Sequence, residues 1–195
     1  MASKKNKAKG KKAVRSATAT APTATNHYLW IAVALLLTAI AFYPSLANDY
    51  VNWDDDVNIL ENKNLEVFDW PHIKAIFSST VMGGYNPLSI FSLAVEKHFF
   101  GLNPQVHHFT NLVLHLLAVF LVFRILLVMR LSPPAAFVGA VLFGIHPMRV
   151  ESVALITERK DVLFGVFYLG AMYTYIQSLL QPQRKKYFLA LTITL

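Results

Sequence analysis

Long apolar runs alternate with short polar ones along this chain, and run length decides the reading. Tyr28–Leu46 is apolar almost throughout and ends at Tyr43-Pro44, aromatic and helix-stopping residues suited to a membrane interface. At about 1.5 Å per helical residue it is long enough to cross a hydrocarbon core of about 30 Å. A second span is expected over His108–Leu131, closed by Arg124, Arg130 and Ser132-Pro133-Pro134. A third, over 135–147, runs from Ala135 to Ile145 and stops at His146-Pro147, so it barely crosses alone and must tilt, bury itself or extend past the proline. A fourth span, Val162–Leu180, meets Gln-Pro-Gln-Arg184-Lys185-Lys186, and a fifth begins at Tyr187 and reaches Leu195. The pattern predicts an all-α fold, a multi-pass transmembrane helical bundle.

Residues 47–103 make a polar loop too long to be a simple turn. Two short helices are expected inside it. Asp69-Trp70-Pro71 supplies a cap followed by proline in the first helical turn, and Asn86-Pro87 opens a stretch with Leu88, Phe91, Val95 and Phe99 on one stripe. Such a helix lies along the membrane surface or packs on the bundle. Gly83-Gly84 separates the two. Residues 1–26, rich in Lys, Ala and Thr, read as a disordered basic tail, and the long basic region argues against a cleaved signal peptide.

Composition agrees with a membrane protein. Only 15% of the 195 residues are charged and 55% are hydrophobic, against about 25% charged in a soluble domain. The chain has no cysteine, which excludes disulfides, thiol catalysis and Cys-ligated metal. Its net charge of +7 is not a nucleic-acid footprint, because seven Lys/Arg crowd into residues 4–15 and much of the rest flanks apolar runs. The tail, the Arg124/Arg130 turn and the Arg184–Lys186 turn alternate so as to share the cytoplasmic side. Loop 47–103 and segment 146–161 then face outward together. Arg149, Arg159 and Lys160 in the second segment offend the positive-inside rule, as residues at a functional site do.

All 11 acidic residues fall in those two outward stretches. Carboxylates beside a bilayer are costly unless they stay wet, pair or do chemistry. Trp53-Asp54-Asp55-Asp56 sits just past the first span, where adjacent carboxylates want a divalent cation, a cationic partner or a shared proton. An Asp there could also take a proton from an acceptor hydroxyl; the blander alternative is a solvated turn that caps a helix. His107, Asn111 and His115 follow one another at i,i+4, which suits inter-helical hydrogen bonds better than zinc, since no His-Glu-x-x-His pattern is present. Glu151 and Glu158 lie one heptad apart, so a helix there presents a charged face to the first loop, and its Arg and Lys suit the phosphate of a lipid-linked substrate. A salt-bridge network without catalysis is the alternative.

Taken in order, Val51-Asn-Trp-Asp-Asp-Asp56, Tyr85-Asn-Pro-Leu88, Phe100-Gly-Leu-Asn-Pro104, His108-x-x-Asn111-x-x-x-His115, Leu142-Phe-Gly-Ile-His-Pro147, Val150-Glu-Ser-Val153 and Glu158-Arg-Lys-Asp-Val162 resemble the N-terminal part of the transmembrane, tetratricopeptide-repeat O-mannosyltransferases and their bacterial relatives, within the C-type glycosyltransferases. The resemblance covers about residues 28–195. It implies transfer of a sugar, mannose among the candidates, from a polyprenyl-phosphate donor to a protein hydroxyl or another acceptor such as a glycan, at the outer or lumenal face. It assigns Asp54 and Asp55 to activating the acceptor or holding a divalent cation (Mg or Mn), with Glu151 as a further catalytic carboxylate. It puts His146, Arg159 and Asp161 in the same site, with Arg159 and Lys160 meeting the donor phosphate. Arg149 stands where relatives often have His. The expected partners are the lipid-linked sugar, its acceptor and membrane lipid, with no nucleic acid. The chain stops inside an apolar run and reads as the N-terminal portion of a longer protein with its N-terminus in the cytoplasm, in a bacterial inner membrane rather than the endoplasmic reticulum. A non-catalytic anchor or assembly protein is the other reading. A transporter fits less well, because no expected span carries Asp or Glu.

Overall fold

The computed structural model describes residues 27–52 and 54–195; the expected basic tail and Trp53 lie outside the described residues. Helices follow in the order α1 (His27–Phe42), α2 (Trp70–Ile76), α3 (Pro87–Phe100), α4 (Pro104–Val128), α5 (Pro133–Gly144), α6 (Arg149–Ala154), α7 (Arg159–Leu180) and α8 (Lys185–Thr194). Among the described residues the pairing of Val81 with Gly84 is an isolated bridge and no strand forms, so the all-α expectation holds. Three helical stretches are long and apolar enough to cross a membrane: His27–Ala47, Pro104–Val128 and Arg159–Leu180.

Local chemistry explains most of the boundaries. Asp69 caps α2 by accepting from the His72 backbone N–H at 3.0 Å, and Pro71 occupies the first turn, as expected. The α2 to α3 reversal passes through Met82 and Gly83, both at positive φ. The second span starts earlier than the expected His108: Asn103 accepts from the Gln105 N–H at 3.1 Å and Pro104 pre-sets the first turn. It also ends earlier, where Arg130 turns left-handed (φ 69°) and the Leu131 N–H reaches back to the Leu126 carbonyl.

α4 is the central rod, flanked by α1, α5 and α7. α5 runs back along it and places Ala136, Ala140 and Gly144, each four residues apart, against α1 and α4. Small residues at that spacing let helix backbones approach closely in a membrane. A methyl at Gly144 would collide with the Thr38 hydroxyl and sit 3.1 Å from a Val119 methyl. The His115 ring nitrogen Nε2 meets the Gly144 carbonyl at 2.8 Å, fixing the end of α5 on α4.

With 12 residues, α5 is about 18 Å long and does not cross a bilayer alone. The chain continues to Leu155, whose carbonyl accepts from Asn111 at 2.9 Å. From Gly144 to Leu155 it therefore advances along α4 by a single turn, from His115 to Asn111. The expected helix through Glu151 and Glu158 is broken: α6 ends at Ala154 and α7 begins at Arg159. The first loop packs on this region. Ile90, Leu93 and Ala94 of α3 meet Ile59, Leu65, Ile76 and Ile156 in one buried cluster. α3 is therefore seated on a face next to the expected stripe, whose ends Leu88 and Phe99 are exposed.

Candidate functional site

Two segments far apart in sequence meet above the bundle in a cleft of about 300 Å³. Val51, Asp54 and Asp55 line it from the first loop, and Glu151, Leu155, Thr157 and Glu158 from the second polar segment. The heptad argument for Glu151 and Glu158 fails in detail, since no single helix carries both. They face the cleft together because Leu155–Glu158 folds inward as a connector.

The two aspartates differ. Asp55 is 2% exposed; its Oδ2 accepts from the Val51 backbone N–H at 2.9 Å, while Oδ1 is buried with no protein partner. Asp54 is half-buried, and its carbonyl accepts from the Asn58 amide at 2.8 Å. Directly after the pair, Asp56–Leu60 forms a wide π-type turn closed by Glu61 N–H donating to the Asp56 carbonyl at 2.8 Å. Such turns often occur at functional sites. Tyr50 lies beneath the pair with its hydroxyl buried and unpartnered. Burial, reinforced by the charges of Asp55, Asp49 and Glu96, pushes its ionisation up to about 12.

Behind the cleft sits a buried ionic knot. Arg159 is fully buried and donates from Nε to Asn111 Oδ1 (2.9 Å), from Nη1 to Ser92 Oγ (3.1 Å) and Glu96 Oε2 (2.8 Å), and from Nη2 to the His107 carbonyl (2.8 Å). The ring of His107 meets the same Glu96 oxygen at 2.5 Å. Burial alone would raise the Glu96 carboxyl, but His107 and the Arg159 charge outweigh it and hold Glu96 below the ordinary carboxylate range. One guanidinium thus ties α3, α4 and the start of α7. Asn111 completes the tie by donating to the Leu155 carbonyl, which belongs to the cleft lining.

This corrects the expected role of Arg159. A side chain with no exposure and its fork occupied by four protein acceptors has no place for a donor phosphate, and its task here is to hold the walls. Lys160, by contrast, is part-exposed and pairs with Glu158 Oε1 at 3.0 Å at the cleft margin, while its stem lines a separate groove with Tyr85, Leu88 and Phe164. His146 is exposed, outside the cleft lining, with Nδ1 accepting from the Met148 N–H at 3.2 Å. Asp161 is also exposed and outside the lining, with a long contact of 3.4 Å from Ser152. The structure therefore brings together Asp54, Asp55 and Glu151, keeps Lys160 at the edge, and leaves His146 and Asp161 apart. Among the described residues no three acidic or histidine side chains converge to hold a metal by themselves.

Sequence reasoning passed over Tyr50, Thr157 and the part played by Glu96. Glu96 carried a signal: a lone acid in an apolar helix, four residues after Ser92, needs a buried partner. The i,i+4 spacing of His107 and Asn111 supplied the other half of that pairing.

Comparison with known proteins agrees with the motif resemblance. The chain is 35% identical to the protein O-mannosyl-transferase TMTC1 of Mus musculus over 107 residues, which are 54% of this chain and 11% of that protein. It is 27% identical to TMTC3 of Mus musculus over 158 residues, 75% of this chain and 17% of the relative. It is 26% identical to TMTC4 of Homo sapiens over 168 residues, 75% of this chain and 22% of the relative. The chain thus spans less than a quarter of the length of each of these relatives. No family model matches. No solved structure matches either. Its homologues are protein O-mannosyl-transferases, as the ordered motifs implied. These three are animal proteins, and they lend nothing to the expectation of a bacterial inner membrane.

Proposed function

We propose that this chain carries part of the active site of a membrane glycosyltransferase that moves a sugar, mannose by analogy with its relatives, from a polyprenyl-phosphate donor to a hydroxyl of a protein acceptor. The observation that carries this reading is the cleft itself, where Asp54 and Asp55 of one loop meet Glu151 of another at one end of three helices long and apolar enough to span a membrane. In the proposed reaction a cleft carboxylate accepts the acceptor hydroxyl proton, the oxygen forms a bond to the anomeric carbon, and the bond from that carbon to the phosphate breaks. Asp54 suits the proton-accepting role, being half-buried and not fixed by a backbone N–H as Asp55 is. Asp55 shapes the loop through Val51 and presents its second oxygen inward.

An anionic phosphate entering beside four carboxylates meets repulsion. Lys160 at the margin offsets part of it, and Mg or Mn would offset more. The donor set fits: hard carboxylate oxygens, one of them buried and unpartnered, of the kind that holds Mg²⁺ through one or two carboxylates plus phosphate and water. Asp54 and Asp55 would hold such an ion, and its chemistry would be to screen the phosphate charge. The N-terminus then lies in the cytoplasm and the cleft opens on the opposite face.

The test uses the full-length protein in membranes with labelled polyprenyl-phosphate mannose and a Ser/Thr-rich protein acceptor. Asp54→Asn should lower transfer by about 10²-fold or more, the usual contribution of a general base, with insertion intact. Transfer at the wild-type rate in the Asp54→Asn, Asp55→Asn double variant would sink the site, and wild-type transfer no higher than in membranes without the protein would favour a non-catalytic anchor.

A further inference from the structure

A second polar constellation sits at the other end of the bundle. Arg124, inside the second span, turns between α4 and α7 and donates from Nη2 to the Tyr173 hydroxyl at 3.0 Å. Its guanidinium carbon lies 5.8 Å from the Tyr173 ring centroid and 6.0 Å from that of Phe120. Gln177 also donates to the Tyr173 hydroxyl at 3.0 Å, and Gln181 donates in turn to the Gln177 carbonyl oxygen at 2.8 Å. A count of donors and acceptors in this group is lopsided. The Tyr173 oxygen already accepts twice, so its own proton is free to donate, and Arg124 has four further N–H donors. No carboxylate among the described residues pairs with Arg124. A charged group held within a span without a counter-charge is costly.

We propose that Arg124, Tyr173 and Gln177 form a binding site for the phosphate of an anionic phospholipid headgroup. Depth selects a lipid over a soluble anion. Arg124 lies four residues before the end of α4, about 6 Å along the helix from Val128, within headgroup reach but flanked by aromatic side chains. The charges nearby have the matching sign: Arg130 and the Arg184-Lys185-Lys186 run flank the same end, while the acids gather at the other. Basic pockets between spanning helices on the cytoplasmic side are known places for anionic headgroups. The guanidinium is suited to a phosphodiester because its planar fork can give two parallel hydrogen bonds. This site is independent of the acid cleft and of the chemistry proposed there.

The experiment places the full-length protein in phosphatidylcholine nanodiscs with increasing phosphatidylglycerol and measures retained lipid by native mass spectrometry. The wild type should retain phosphatidylglycerol selectively. Arg124→Gln should weaken retention about five- to tenfold, the effect of losing one near-surface cation, whereas Arg130→Gln at the exposed turn should change it less. Tyr173→Phe deletes only the hydroxyl and guards against a folding defect in the arginine variant; it should also weaken retention. Equal retention in Arg124→Gln, or in Tyr173→Phe if the arginine variant does not insert, would overturn the proposal. So would an equal loss from Arg130→Gln, which would mean unspecific charge attraction. Millimolar inorganic phosphate displacing the retained lipid would overturn the choice of a lipid over a soluble anion.

Discussion

Arg159 and Glu96 show how a single pair decides what the cleft is. A buried charge is tolerable only when paired and hydrogen-bonded, and removing one partner typically costs about 3–5 kcal/mol because the other is left unpaired. Arg159 is satisfied by Glu96 and three further acceptors, so the pair acts as a specification device for the wall that carries Leu155 and Glu158. The sign of its pH dependence follows from Glu96. Its carboxyl binds a proton less tightly in the folded protein than in the unfolded chain. The stabilisation is therefore complete above the ordinary carboxylate range and is lost as pH falls through the lower folded value. Thermal unfolding in detergent across an acid series should show the wild type losing stability on acidification. Glu96→Gln should start lower and show a flatter acid limb. Parallel acid limbs in the two proteins would show that Glu96 does not supply the dependence.

At the scale of elements, the sequence was legible wherever a local signal sets the structure. Asp69-Trp-Pro and Asn86-Pro opened helices where expected, and three of the five apolar runs returned as helices long and apolar enough to span, while α5 and α8 are shorter. It was misleading where a distant group decides. Val150–Thr157 reads as helix-compatible, yet Asn111 takes the Leu155 carbonyl and the chain breaks before α7. No local residue announces that break. The same limit explains the misplaced role of Arg159, since exposure to a phosphate and burial beside Glu96 look identical in sequence. α5 is the opposite case: its small residues at four-residue spacing are visible, and the structure gives their reason. Gly144→Val should push Thr38 and Val119 apart at the point where His115 holds the α5 terminus. Overpacking of this kind costs about 1–3 kcal/mol. The melting temperature in detergent should fall, and substituting Thr38 by Ala in the same protein should recover part of the loss. A Gly144→Val protein as stable as the wild type would mean that the helices do not meet as closely as described.

At the scale of the molecule, the bundle is polarised: acids and the knot lie at one end, and Arg124 with the basic turns at the other. α4 and α7 run parallel and carry a polar tie at each end, Arg159 to Asn111 and Arg124 to Tyr173. That arrangement makes sense only if the loop with Asp54 and the segment with Glu151 share one face of the membrane. The chain has no native cysteine, so sidedness can be read directly from introduced thiols. Val67→Cys and Met148→Cys, both at exposed positions, should react with a membrane-impermeant maleimide from the same side. Gln183→Cys, in the turn between α7 and α8, should react only after the membrane is opened. If Val67 and Met148 labelled from opposite sides, the two acidic segments could not form one cleft, and both the topology and the proposed transferase site would fall together. Labelling of all three from one side would instead place α7 outside the bilayer and remove the basis for the phosphate site at Arg124.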